Sequence, residues 1–305
     1  MKKILNYPIR LNENGQSVAQ YLKWRGFSRH LLIRLKKTPA GIMANNVPVP
    51  ANYILQPGDV LTLTLEEPES SPHIVPTAMD LDIVYEDEDL LVVNKPAGLP
   101  IHPSQGHFDH TLANGMAWYF QQRGENFVYR AINRLDRDTS GLLILARHAL
   151  SGALLSEMVK NRSIHRRYLA IAKGAVLPEG IITAPIAREE GSTIKRCVDF
   201  ENGDYACTRF RLVCYNPFYD CSLVKLALET GRTHQIRVHM EHIGFPLIGD
   251  FLYNPDLSLI SRQALHSHSL AFVHPLTGQD LAFEAPLPKD MTFIFEHPGH
   301  GQPAI

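Results

Sequence analysis

The sequence predicts an α+β chain in two parts: a small α/β module over residues 1–66 and, after a linker over 67–79, a larger domain over 80–305 built on a mixed, largely antiparallel sheet. Three observations carry this reading. Short apolar or alternating runs bounded by turn residues recur along the chain and read as strands. Segments with helical spacing are interspersed among them. A polar, Pro-containing stretch, residues 66–73, separates two regions of regular patterning.

In order, residues 17–24 read as a helix and 28–36 as a second one opened by Ser28 as N-cap. Residues 41–47 form a strand with a tight Asn45-Asn46 turn, Pro57-Gly58-Asp59 makes another turn, and 60–65 alternates as a strand. Beyond the linker, 81–85 and 90–94 read as strands around an acidic turn, and 111–122 reads as a helix. Residues 142–146 form an apolar run typical of a buried strand. Residues 149–159 follow as a helix with Leu150, Leu154, Leu155 and Met158 at helical spacing. Segments 168–172, 208–214, 222–228 and 281–284 have strand character. A Gly-Arg-Thr turn with Thr233 as N-cap predicts a helix from near His234 to near Gly244, placing Ile236 and Met240 on its core face and Arg237 close to it.

Composition excludes several classes. With 45% hydrophobic and 20% charged residues, the chain is an ordinary soluble globular sequence. No apolar run approaches the roughly 18 residues of a membrane helix, and Met1-Lys2-Lys3 opens no leader, so a cytoplasmic protein without a membrane partner is expected. Cys197, Cys207, Cys214 and Cys221 contain no C-x-x-C pair, which argues against zinc and redox motifs, and no grouping has metal-ligand spacing. The net charge of −1 is low for a protein that grips phosphates. Its distribution is uneven. No acid stands between Glu13 and Asp59, where Lys23, Arg25, Arg29, Arg34, Lys36 and Lys37 gather. The acids Glu66, Glu67, Glu69, Asp80, Asp82, Glu86, Asp87, Glu88 and Asp89 are expected to form a solvated face. A second basic group, Lys160, Arg162, His165, Arg166 and Arg167, leads into Tyr168 and reads equally as a helix end or a nucleic-acid contact.

Two segments concentrate chemistry. In Arg134-Leu135-Asp136-Arg137-Asp138-Thr139-Ser140-Gly141 a carboxylate stands between two arginines in a loop that runs into the buried strand. A nearby cation favours the ionised carboxylate, so Asp136 is expected to be an anion suited to nucleophilic attack. The bland reading is a surface ion pair. The run Thr230-Gly231-Arg232-Thr233-His234-Gln235-Ile236-Arg237-Val238-His239-Met240 holds two arginines and two histidines among short apolar residues. An Arg237 that reached Asp136 across the fold would be the buried cation that orients it.

These segments resemble the RluA family of RNA pseudouridine synthases. The family pattern His-Arg-Leu-Asp, two variable residues and Thr-Ser-Gly fits residues 133–141 except at Asn133. Arg166-Arg167-Tyr168-Leu169-Ala170-Ile171-Ala172-Lys173-Gly174, the Gly-Arg-Thr-His-Gln-Ile-Arg run, Pro246-Leu247-Ile248-Gly249-Asp250 with Tyr253, and Asn94-Lys95-Pro96-Ala97-Gly98-Leu99-Pro100 extend the likeness over roughly residues 80 to 290. The resemblance implies that Asp136 is the nucleophile, Tyr168 the active-site tyrosine, Arg237 the partner of the aspartate, and Arg134 a group that helps displace the target base. Residues 1–66 resemble the alpha-L RNA-binding module of a small-subunit ribosomal protein and of tyrosyl-tRNA synthetases, which also precedes the catalytic domain in many relatives. Arg25, Arg29, Arg34, Lys36 and Lys37 are therefore expected to bind RNA, together with Arg166 and Arg232 near the site.

The implied reaction isomerises uridine with neither metal nor organic cofactor. The target base must leave its stack. Attack at the anomeric carbon, a glycal route and attack on the base stay open. The expected partner is RNA, ribosomal RNA ahead of transfer RNA, and a monomer suffices. A non-enzymatic RNA-binding factor would have little reason to keep Asp136, Tyr168 and Arg237 together. A glycoside hydrolase would need a second carboxyl, such as Asp138, about 5 to 9.5 Å away.

Overall fold

Ser17 and Ser28 each accept a hydrogen bond from a backbone N–H three residues on, which fixes the starts of the first two helices of the computed structural model. The structure describes residues 2–67, 69–104, 106 and 108–296. The first part comprises β1 (Lys2–Pro8), α1 (Val18–Trp24), α2 (Arg29–Lys37), β2 (Ile42–Ala44), β3 (Val47–Pro48) and β4 (Val60–Glu66). Its sheet runs β1-β4-β2-β3. Asn45 and Asn46 both adopt positive φ in the β2–β3 hairpin, as a two-residue turn of that kind requires. The Asn45 amide then donates to Asp59 at 2.8 Å. Tyr21, Leu22, Leu35, Leu61 and Leu63 form the core between helices and sheet.

The second part continues with β5 (Asp82–Glu86), β6 (Leu90–Lys95), α3 (Leu112–Gln122), β7 (Ser140–Ala146), α4 (Ala149–Lys160), β8 (His165–Lys173), β9 (Glu179–Thr183), β10 (Ile186–Arg188), β11 (Arg196–Val198), β12 (Cys207–Asn216), β13 (Cys221–Leu228), α5 (Gln235–His242), β14 (Leu265–Val273), β15 (Asp280–Glu284) and α6 (Lys289–Glu296). The large sheet runs β5-β6-β7-β14-β8-β13-β12-β9, with β15 paired to β14. Every pairing is antiparallel except β7 with β14. That arrangement is the mixed, largely antiparallel α+β architecture that the sequence predicts.

The residues between the two sheets are hydrogen-bonded to the second part: Ser70 and Ser71 accept from the Phe127 and Tyr129 N–H groups, and the Asn114 amide donates to the Val75 carbonyl. Two expectations are corrected. Two acids expected on a solvated face are buried instead. Glu67 binds Arg34, Arg130 and the Ala149 N–H, while Asp89 binds His148 and Lys3. Burial alone would raise the Asp89 pKa, but the bonds from His148 and Lys3 outweigh it and hold it at about 2. Thr233 does not cap α5; His234 occupies that position in a left-handed conformation with φ 57°.

The module and the larger domain share a core. Ala149, Ala153 and Leu154 of α4 pack with the module's apolar residues, and Leu150 is buried among them. A side chain at Gly26 would overlap Leu154, so the α1–α2 turn lies directly on α4.

Candidate active site

The loop carrying Asp136 is held from behind by its own backbone carbonyls. The Lys95 ammonium donates to the Arg137 carbonyl at 2.8 Å, Arg262 donates to the Asp138 carbonyl at 3.1 Å, and the Thr139 N–H donates to the Asp136 carbonyl at 3.1 Å. Lys95 also donates to the Pro96 carbonyl at 2.8 Å and is fully buried. Burial pulls its pKa down to about 7, against the opposing pull of Asp138 and Asp136. Arg262 is itself gripped by Asp290 of α6 at 2.6 and 2.9 Å, which ties the chain's last described helix to this loop. Gly141 ends the loop because an added Cβ would lie 2.6 Å from the Ser267 nitrogen where β7 meets β14.

One guanidinium organises the carboxylates. Arg237 donates to Asp136 Oδ2 from Nη1 at 2.9 Å and makes two 2.7 Å bonds to Asp250 from Nε and Nη2. Its side chain is 3% exposed and that of Asp136 28%, so the pair has a buried end and an open end. Burial would weaken the Arg237 charge, yet the Asp250 and Asp136 partners raise its pKa further above the ordinary range. Asp250 is fully buried. Its two-pronged grip leaves Nη1 free to reach Asp136.

The two arginines flanking Asp136 in sequence do not hold it. Arg137 turns to Asp138, with bonds of 3.0 and 2.9 Å, and Arg134 lines the cavity. Asp138 is thereby engaged by Arg137 rather than poised as a second free carboxyl.

Asp136 lies at the junction of a recess of about 60 Å³ and a cavity of about 500 Å³. Leu135, Asp136, Tyr168, Leu228 and His234 border both. The larger volume falls in the range of sites for small ligands. Tyr168, buried on β8, presents its ring to this space, and burial raises its pKa, so the phenol keeps its proton. Arg134, Arg166 and Arg232 line the cavity wall, making three of the expected RNA-contact residues part of one surface.

The five basic residues of the module lie elsewhere and divide into two groups. Arg25 binds buried Glu13 at 3.2 Å and stacks between Tyr7, Tyr21 and Trp24, and Arg34 binds buried Glu67 at 3.2 Å. Arg29, Lys36 and Lys37 are exposed on α2.

Sequence reasoning missed four supports. Asp250 and Lys95 stand in motifs that give them no role, Arg262 carries no local signal, and the two histidines of the 230–240 run look alike in sequence. The last are distinct in the structure: His239 is buried and bonded to Thr208 and the Ala184 carbonyl, whereas His234 faces Asp136. Asp87, Asp89 and His274 converge near the module junction, with His274 Nε2 3.0 Å from Asp87 Oδ2. The His274 Nδ1 accepts from the Leu276 and Thr277 N–H groups, and its buried Nε2 stands beside the Asp87 carboxylate without a well-formed hydrogen bond.

Comparison with known proteins places this geometry in a family. Residues 89–242 match the family described as RNA pseudouridylate synthase. The uncharacterized RNA pseudouridine synthase YjbO of Bacillus subtilis (strain 168) is 40% identical over 285 residues, covering 93% of this chain and 100% of that one. The ribosomal large subunit pseudouridine synthase D of Zymomonas mobilis subsp. mobilis is 38% identical over 252 residues, 78% of each chain. Among solved structures, human RNA pseudouridylate synthase domain containing 1 aligns with a TM-score of 0.57 at 28% identity, over 68% of this chain and 83% of that one. With Asp136, Tyr168 and Arg237 from three of the family motifs gathered around one recess, the chain belongs to the RNA pseudouridine synthases, isomerases of the RluA type.

Proposed function

We propose that this protein converts uridine to pseudouridine in large-subunit ribosomal RNA, with Asp136 as nucleophile. The observation that carries the mechanism is the bond from buried Arg237 to one oxygen of a partly exposed carboxylate that borders the same recess as Tyr168. The guanidinium holds and aims the carboxylate, which attacks an electrophilic carbon of the nucleotide or assists glycal formation. The Tyr168 ring offers a dry stacking face to the uracil. A uridine reaches that depth only by leaving its stack, and Arg134, exposed at the mouth, fills the space or holds the flanking phosphate. Arg166 and Arg232 bind the backbone beside it.

The module extends this contact through Arg29, Lys36 and Lys37; Arg25 and Arg34 contribute less because buried carboxylates already hold them. The ribosomal assignment follows the similarity to the Zymomonas mobilis large subunit enzyme, and transfer RNA is the competing substrate. The protein works as a cytoplasmic monomer without metal or cofactor.

The test is to incubate the protein and Asp136→Asn with ribosomal and transfer RNA from cells lacking the gene, then map pseudouridine by carbodiimide modification and primer extension. Wild type should give a new stop in large-subunit RNA, and the variant none despite unchanged melting and RNA affinity. Turnover by Asp136→Asn would remove that residue as the nucleophile. A stop confined to transfer RNA would replace the substrate.

A further inference from the structure

We infer that His234 is the base that takes the C5 proton of the target uracil once carbon 5 has bonded to the ribose, an assignment that rests on the isomerase reading above. The reaction fixes what must move. In uridine C1′ is bonded to N1 and C5 carries hydrogen; in pseudouridine C1′ is bonded to C5 and N1 carries hydrogen. Forming the C1′–C5 bond leaves C5 with its original hydrogen as well. The C5–H bond then breaks, its electron pair restores the C5=C6 double bond, and the proton passes to a base. The N1=C6 bond of the adduct returns its pair to N1, which takes a proton from water entering through the wider cavity. Neither oxidant nor reductant is required.

Three independent features place His234 in that role. The first is its tautomer. Its Nδ1 lies 3.0 Å from the Tyr253 hydroxyl, which donates its one proton to the Arg196 carbonyl at 3.1 Å and accepts from the Arg196 N–H at 2.9 Å. The Tyr253 oxygen is therefore an acceptor for His234, so Nδ1 carries the ring proton and Nε2 keeps its lone pair. The second is position. Nε2 stands 3.8 Å from Asp136 Oδ2, and the ring borders both the recess and the cavity. A nucleotide engaged at Asp136 therefore meets the His234 ring across the same recess. The third is backbone geometry. His234 holds φ 57°, a conformation that non-glycine residues rarely adopt, at the start of α5.

The electrostatic surroundings agree. Burial lowers the His234 pKa, Asp136 opposes that shift, Arg237 adds to it, and Asp250 and Arg196 contribute weaker opposing pulls. Lys195 and Arg237 both lie over the Tyr253 ring. A neutral imidazole results, free to accept a proton and then paired with Asp136 when charged. Tyr168, which borders the same recess, keeps its phenolic proton because burial raises its pKa, which makes it a poor base; His102 lines only the wider cavity.

The experiment measures single-turnover conversion of a large-subunit ribosomal RNA transcript carrying 5-deuterouridine, with unlabelled RNA alongside, over about pH 5 to 9. His234→Asn suits it because Asn tolerates the left-handed backbone. The variant should melt like wild type and bind the transcript equally well. Its rate should fall by about 10²- to 10⁴-fold, with a deuterium effect larger than that of wild type and with the acid limb of the rate profile gone. Tyr253→Phe, which frees the tautomer while keeping the ring, should fall by a smaller factor. A His234→Asn rate within about threefold of wild type with the acid limb intact overturns the assignment. If His234→Asn melts early, Tyr253→Phe decides: a full rate with an unchanged profile is equally fatal. Failure of wild type to convert any uridine would overturn the isomerase reading on that RNA instead.

Discussion

Asp136 and Arg237 lie 101 residues apart in sequence and 2.9 Å apart in space. Their partnership was legible because an arginine among apolar residues near the core face of a helix needs a buried anion. What the sequence hid was that the anion comes twice. Asp250 binds Arg237 more completely than Asp136 does, so the guanidinium is fixed before Asp136 meets it and Asp136 can stay partly exposed for substrate. Lys95 makes a complementary demand. A fully buried ammonium whose hydrogen bonds go to carbonyls is costly, and its pKa of about 7 lies well below the unfolded lysine value of 10.5. The unfolded chain therefore binds more protons than the folded one between about pH 7 and 10.5, and stability from this group rises with pH across that window. Below about pH 7 both states are protonated and the full penalty stands. Denaturant midpoints of wild type and Lys95→Met, compared from neutral to alkaline pH, should diverge in favour of wild type. Parallel curves would show that Lys95 is not desolvated. In the same variant the Arg137 carbonyl loses its donor, so activity should fall with little change in RNA affinity.

Strand β14 is the element that builds the site. It lies between β7, which carries the chain away from Asp136, and β8, which carries Tyr168, and it sets their spacing. The closeness of β7 and β14 explains the Thr-Ser-Gly ending of the loop. Gly141 has φ 107°, and a methyl there would strike the Ser267 backbone, which cannot move without dragging the strand that pairs with Tyr168. Gly141→Ala should lower stability by several kcal/mol, on the order of other overpacked and strained backbone positions, and reduce activity further than stability alone accounts for. Thermal melting and single-turnover rates check this, and a variant with wild-type melting would show that the two strands can separate. This strand was not legible in the sequence. Leu-His-Ser-His-Ser-Leu-Ala-Phe-Val lacks the alternation of a half-buried strand, because its polar groups are buried through specific partners. His266 bonds Ser140 at 2.9 Å, and Ser267 donates to the Leu142 carbonyl at 2.9 Å. Strand β1 was missed for the opposite reason. It is an edge strand with no fully buried residue, defined only by its pairing with β4. Elements with strong local signals were readable: the serine cap of α2, the Asn45-Asn46 hairpin and the apolar run of β7.

At the scale of the whole molecule, the module is joined to the larger domain through a shared core, and α4 is the joint. Its first turns pack into the module, while Val159 near its end borders the cavity. From Leu150 to Val159 is about 14 Å of helix, so the module's position is transmitted to the cavity rim through a single stiff rod. Glu67 adds a polar clamp at the same junction, taking Arg34 from the module and Arg130 from the larger domain at once. Removing residues 1–66 would therefore expose Leu150 and Leu154 and strip partners from Glu67. A loss of RNA binding after truncation would then be confounded with damage to the fold. Neutralising the exposed basic face separates the two. In Arg29→Gln/Lys36→Gln/Lys37→Gln the cores and ion pairs at the junction are untouched, so melting should be unchanged. RNA affinity should fall. The slope of log affinity against log salt should become shallower by about 2 to 3 if each residue neutralises one phosphate. The rate at saturating RNA should hold, because the cavity residues are intact. An unchanged salt slope would mean that α2 faces solvent in the complex and that the module's role is to brace α4, leaving Arg134, Arg166 and Arg232 to hold the RNA alone.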